Sequence, residues 1–223
     1  MPRCARCAPA GFVYHILNRA VARLTLFETA GDYRALETVL QEAHARVPLP
    51  ILGFCLMPNH WHFVVQPQND EQVTDFFRWL THTHTMRWHA HHHTSGTGHL
   101  YQGRFKSFPI EHDDHVYTVL RYVERNPRRA NLVQRTSQWR WGSFWHRQHA
   151  ASEMRGLLAQ WPLPEDWATW VDEPQTEAEL AAICRSVSKG TPYGSEQWVT
   201  QTAARLGLES TIRPRGRPCK YLA

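Results

Sequence analysis

The sequence is short of several things, and each shortage excludes a class of protein. No apolar run approaches the roughly eighteen residues of a membrane-spanning helix, and the opening MPRCARCAPAGF holds no apolar core of the signal-peptide kind. A cytoplasmic location is expected. There are five cysteines, an odd number, so a disulfide framework is not expected. Cys4 and Cys7 form a CxxC, but no second CxxC or nearby histidine pair completes a zinc set. Cys55 and Cys184 read as small hydrophobes in apolar surroundings. No internal repeat is evident, and the one biased tract is a histidine cluster, His82, His84, His89, His91, His92, His93 and His99. Nothing fixes a ligand geometry there.

What is present is a basic, tryptophan-rich chain of 223 residues with formal net charge +5, a pI near 9.1 and ten tryptophans. Such a balance suits a polyanionic partner. FVYHILNRA alternates as a first strand. Leu36, Val39, Leu40 and Ala43 then recur at helical spacing. ILGFCLM and HWHFVV, separated by a Pro-Asn turn, read as a hairpin. Val73, Phe76, Phe77 and Leu80 form one stripe of a second helix. LYQGRFKSFPIE returns as a strand, and DHVYTVLRYVERN is a third helix stopped at Pro127. The order strand, helix, two strands, helix, strand, helix predicts an α+β fold, with helices on one face of a largely antiparallel sheet. The division expected is a principal domain over 1–135, then a Trp-rich connector and basic extension over 136–223, in which TEAELAAICRSVSKG and SEQWVTQTAARLGL read as short helices.

Two short patterns carry chemistry. In a strand, side chains at i and i+2 share a face, so His60 and His62 stand together while Trp61 and Phe63 face the other way. Two neutral imidazoles aimed at one point are half a metal site. In RYVERNP, Tyr122 and Asn126 are four apart and share a helix face. A phenol is a poor nucleophile at neutral pH and needs activation. A metal beside it can polarise a phosphate and stabilise the charge that develops there.

HxH with a bulky apolar middle residue, followed by YxxxN, resembles the HUH single-tyrosine transposases, and specifically the REP-associated tyrosine transposases. YHILNRA, GFCLMPNHWHFVV, GHLYQGRFKS, WRWGSF and the tail GTPYGSEQWVTQTAARLGL…RPRGRP match as well, so the resemblance runs along nearly the whole chain. It implies a ferredoxin-like palm and a divalent ion, Mg²⁺ or Mn²⁺, on His60, His62 and Asn126. It further implies Tyr122 as the nucleophile of a single-stranded DNA endonuclease and strand transferase acting at REP-like hairpins, at the nucleoid, through a 5′-phosphotyrosine intermediate. Asn131 departs from the pattern, standing where the family often has glycine.

Arg104, Lys106, Arg121, Arg125, Arg128 and Arg129 surround these motifs and are expected to neutralise phosphates. The tail RPRGRPCK carries Arg213, Arg215 and Arg217, and its Arg-Gly-Arg-Pro is an extended element suited to a minor groove. Trp139, Trp141 and Trp145 are expected to pack the connector onto the core rather than to stack on bases. Three other readings stay open: a replication or conjugation initiator with the same chemistry, a histidine-triad nucleotide hydrolase, and a catalytically idle DNA-binding protein. The histidine-triad reading lacks a third alternating histidine, since Val64 holds that place.

Overall fold

A computed structural model describes residues 8–213. Four strands, β1 (Val13–Arg19), β2 (Ile51–Met57), β3 (His60–Val65) and β4 (Lys106–Ile110), form one antiparallel sheet in the order β2-β3-β1-β4. The crossover from β1 to β2 runs through α1 (Ala30–Arg46), and that from β3 to β4 through α2 (Gln72–His91). This is the split βαβ arrangement of the ferredoxin-like palm. α1 opens on a capping box in which the Thr29 hydroxyl accepts from Asp32 N and the Asp32 carboxylate accepts from Thr29 N at 2.8 Å. The last strand is shorter than LYQGRFKSFPIE suggests. Tyr101 makes one isolated bridge to Ala20, and regular pairing starts only at Lys106.

The α+β antiparallel sheet is as expected, but its helices do not all lie on one face. α1 and α2 pack on the face that carries Tyr14, Ile16, Phe54, Trp61, Phe63 and Val65. The third helix, α3 (Asp114–Glu124), covers the opposite face with Val116, Val119, Leu120 and Val123, against Val13, Leu52, Val64, Phe108 and Ile110. Every strand therefore has apolar residues on both sides, so both faces need cover. Alternation alone did not reveal this, because β2 is buried at all seven positions.

Two features hold α3 close to the sheet. A Cβ at Gly53 would lie 2.7 Å from Leu120 Cδ2 and 3.2 Å from Ser143 Oγ, so a larger residue there would have to displace the Leu120 side chain that packs α3 on β2. Glu124, 2% exposed, accepts from Ser143 Oγ at 2.5 Å, from Trp167 Nε1 at 2.9 Å and from the Arg147 guanidinium. These three donors keep a buried carboxylate satisfied. They also tie the end of α3 to α5 (Ser143–Gln148) and α6 (Trp167–Trp170). α7 (Glu177–Lys189) adds Ile183 to the same core. α8 (Glu196–Leu206) brings Trp198 against Phe12 at 6.3 Å on the other. Trp139 and Trp141 pack on the core as expected, Trp139 donating to Leu56 O at 3.0 Å and Trp141 stacking on Tyr33 at 4.5 Å. Cys55 is buried as expected, whereas Cys184 is exposed on α7, because that helix buries only one narrow side.

Candidate active site

β3 places His60 and His62 on the α3 face, while Trp61 and Phe63 face α2. The antiparallel register sets Leu17 opposite His62 and Arg19 opposite His60, so β1 contributes His15, Leu17 and Arg19 to the same face. His15 is fully buried, and its Nε2 lies 2.9 Å from His62 Nδ1. The two rings are nearly parallel, 14° apart, with centroids 5.0 Å apart. That separation fits an in-plane N–H···N bond between ring edges better than face-to-face contact. His60 Nδ1 lies 2.6 Å from Asn59 Oδ1, an acceptor, so His60 donates from Nδ1. In both histidines of the HxH pair the Nδ1 position is engaged by a neighbour, which leaves Nε2 as the atom free to bind something else.

The imidazoles are neutral. Burial pushes His15 down to about 3. Burial, then the guanidinium charges of Arg19 and Arg129, takes His60 to about 4. His62 is driven well below its ordinary value by burial first, then by the neighbouring histidines and the same arginines. A neutral imidazole keeps the lone pair that a metal needs.

α3 brings Tyr122 over this pair, its ring centroid 6.0 Å from His62 and 6.3 Å from His15, with 5% of its surface exposed. α3 ends at Glu124, and the chain continues through Arg125, still right-handed helical, into the single turn α4 (Asn126–Arg129). Asn126 is thus the first residue of that turn rather than part of α3 itself, because Pro127 has no N–H to continue the ladder. The face relation to Tyr122 survives. Arg129 sets its guanidinium over the Tyr122 ring at 4.4 Å and donates from Nη2 to Asn126 Oδ1 at 2.5 Å. Asn126 is 2% exposed, and its Nδ2 is buried without a hydrogen-bond partner. Asn131 then adopts φ +55°, the left-handed geometry in which glycine is the usual residue.

The donor set fits a divalent cation: two neutral imidazoles with Nε2 free and an amide oxygen from the neighbouring turn. Asn126 Oδ1 has a second lone pair beyond the one that Arg129 uses.

The basic residues divide. Arg104 and Lys106 are exposed and line a cavity of about 410 Å³ with Leu17, Asn18, Arg19 and Gln102. Since Arg19 pairs in register with His60, this cavity adjoins the histidine pair. Arg121 does not belong to this group. It is 5% exposed, holds both carboxylate oxygens of Glu179 at 3.0 Å and lies over the Trp170 ring at 4.7 Å. Its guanidinium is occupied within the protein and is closed to a phosphate. Arg125 and Arg128 are half-buried around Asp172, Arg125 Nε donating to its carbonyl oxygen at 3.3 Å and Arg128 Nη1 lying 3.3 Å from its carboxylate. Arg213 is exposed, while Arg215 and Arg217 lie outside the described residues, as do Cys4 and Cys7.

Sequence reasoning gave no role to His15, Arg19 or Asn59. The signal for the first two was present in YHILNR, where a histidine and an arginine occupy i and i+4 of an apolar strand and so share a face.

The family model describing IS200-like transposases matches residues 10–126, just over half of the chain. The protein belongs to the IS200-like transposase family. Among solved structures, a REP-associated tyrosine transposase bound to a REP hairpin is similar over 79% of this chain and 93% of that one, with 19% identity and a TM-score of 0.57. A Deinococcus radiodurans protein described as a transposase is 16% identical over 55% of this chain and 96% of its own, with a TM-score of 0.37. No curated protein matches. The first of these likenesses bears on the fold alone, and the second is too slight to carry an argument.

Proposed function

We propose that this transposase is a REP-associated tyrosine enzyme, a metal-dependent single-stranded DNA endonuclease and strand transferase that uses Tyr122 as nucleophile and acts beside REP-like hairpins. The observation that carries this reading is Tyr122 standing over His62 and His15 on the α3 face, with Arg129 linking the Tyr122 ring to Asn126 Oδ1 and with Nδ1 of each histidine of the pair already engaged. His60 Nε2, His62 Nε2 and Asn126 Oδ1 would hold Mg²⁺ or Mn²⁺. Bound there, the ion would supply Lewis-acid polarisation of a phosphate oxygen.

The residues of the chain account for the remaining steps. Arg129 places positive charge against the Tyr122 ring, beside the negative charge that appears on the phenolic oxygen as its proton leaves. That oxygen forms a bond to phosphorus as the bond from phosphorus to the 3′ oxygen breaks. The phenolic proton leaves to solvent, and the departing 3′ oxygen takes up a proton to become a hydroxyl. The 5′ phosphate stays on Tyr122 as a phosphodiester, and attack by a second 3′ hydroxyl reverses the step and joins strands. Arg104 and Lys106 would run the backbone of a single strand along the cavity that ends at Arg19. The segment 136–223 would serve as connector and DNA-binding extension, with Arg213, Arg215 and Arg217 at its end.

The REP hairpin bound in the similar solved structure supports the choice of a DNA with a paired stem. A suicide oligonucleotide carrying such a hairpin, cut in its single-stranded flank, should trap a covalent protein–DNA adduct. The same sequence as blunt duplex should trap none. Equal trapping on both would overturn the reading.

A further inference from the structure

The histidine tract on α2 separates into different environments. His84 turns inward to Tyr101, 2.7 Å from its hydroxyl, and His89 bonds Thr94 Oγ1 at 2.7 Å. His91 and His92 instead end the helix beside Asp32, at the start of α1, and one ligand atom from each of the three residues lies within 4.8 Å of the others. We propose that Asp32, His91 and His92 form a second metal site, for a transition-metal dication of the zinc type, that clamps the start of α1 to the end of α2.

Asp32 and His92 are fixed and each has one atom left over, while His91 is exposed with its ring 5.0 Å from that of His92. Asp32 is 7% exposed, and its Oδ2 accepts from Glu28 N at 3.0 Å, Thr29 N at 2.8 Å and Thr29 Oγ1 at 3.0 Å. Its Oδ1 lies 3.6 Å from His92 Nε2, beyond a hydrogen bond. His92 Nε2 is buried with no hydrogen-bond partner, an arrangement that costs stability unless something fills the gap. The His92 ring stacks on Trp88 at 4.1 Å, and Trp88 is itself pinned by donating to Leu26 O at 3.0 Å. His93 follows at φ +54°, a left-handed position for a non-glycine residue, and turns the chain away directly after the two histidines.

Two imidazoles and one carboxylate are a zinc-type donor set, with water completing the shell. They are a poor match for Mg²⁺ or Ca²⁺, which take oxygen ligands. The site lies on the α1/α2 side of the sheet, across from Tyr122, so its part is to hold two helices together rather than to assist phosphoryl chemistry.

Zn²⁺ titration of the untagged full chain by calorimetry, with thermal unfolding read in parallel, tests this. A His60→Gln/His62→Gln variant should still take up Zn²⁺ and gain thermal stability with it. A His91→Gln/His92→Gln variant should lose that stabilisation and one equivalent of Zn²⁺ relative to the parent. Asp32→Asn, which keeps an oxygen for the helix cap, should weaken the site in the same way if the double variant folds poorly. Undiminished uptake and stabilisation in either His91→Gln/His92→Gln or Asp32→Asn would overturn the proposal, as would no uptake by the His60→Gln/His62→Gln protein.

Discussion

The two faces of strand β3 make opposite uses of alternate residues. On one side Trp61 stacks on Phe77 at 5.5 Å, and Phe63 packs between Phe54 and Phe77 at 5.6 and 5.4 Å. Its one polar atom, Trp61 Nε1, is satisfied by Tyr101 Oη at 3.1 Å. On the other side His60 and His62 are held equally firmly by their neighbours, yet each keeps a nitrogen with no partner in the network. Burial serves stability on the first face. On the second it holds three imidazoles neutral. Because the period of a strand is two, the register that buries Trp61 is also the register that aims His62 at Tyr122.

The comparison can be broken from the histidine side first. His60→Ala and His62→Ala should each eliminate DNA cleavage while the protein remains folded, and EDTA should do the same to the parent, with Mg²⁺ or Mn²⁺ restoring it. A gel cleavage assay alongside circular dichroism reads both, and full activity in chelator would remove the ion from the account. From the aromatic side, Trp61→Ala should cost about 3–5 kcal/mol of stability, measured by urea unfolding, since it empties a fully packed site. Molecules of that variant that stay folded should still bind DNA.

A smaller effect depends on pH and is common to both faces. His84, on the α2 side, is lowered from 6.5 to about 4 by burial. A group with a depressed folded value binds fewer protons folded than unfolded, so its contribution is complete above pH 6.5 and is lost as pH falls from there toward 4. His15 and His60 share that window. His84→Gln, which can still bond Tyr101, should make the fall in stability across it shallower without removing it. An unchanged slope would mean that His84 takes up its proton as readily folded as unfolded. Smallest of all, Asn131→Gly should raise stability by a few tenths to about 1 kcal/mol, because glycine takes a left-handed position without the Cβ clash.

Much of this was legible in the sequence. Strand alternation put His60 and His62 on one face, and helical spacing kept Tyr122 with Asn126. Helix-period stripes located α1 and α2, the run stopped at Pro127 located α3, and the resemblance marked Asn131 as a position where glycine is usual. What was not legible depended on partners far along the chain. His15 acquires its place only when β1 pairs with β3, and nothing local in YHILNR says which strand that is. Arg121 looked like its basic neighbours until α7 supplied Glu179, fifty-eight residues away. The placement of α3 on the second face was hidden because a strand buried on both sides has no period to read. His91 and His92 were part of an undifferentiated tract until the fold set Asp32 beside them.

The most direct measurement concerns the bond that Tyr122 forms. The covalent adduct from the hairpin suicide substrate can be digested and sequenced by mass spectrometry, and the ends of the released DNA mapped. The nucleotide should be found on Tyr122 through its 5′ phosphate, the upstream fragment should carry a free 3′ hydroxyl that a polymerase extends, and Tyr122→Phe should form no adduct while binding DNA within a few-fold of the parent. An adduct on Tyr101 or Tyr117, or protein joined to the 3′ end of the upstream fragment, would contradict the account.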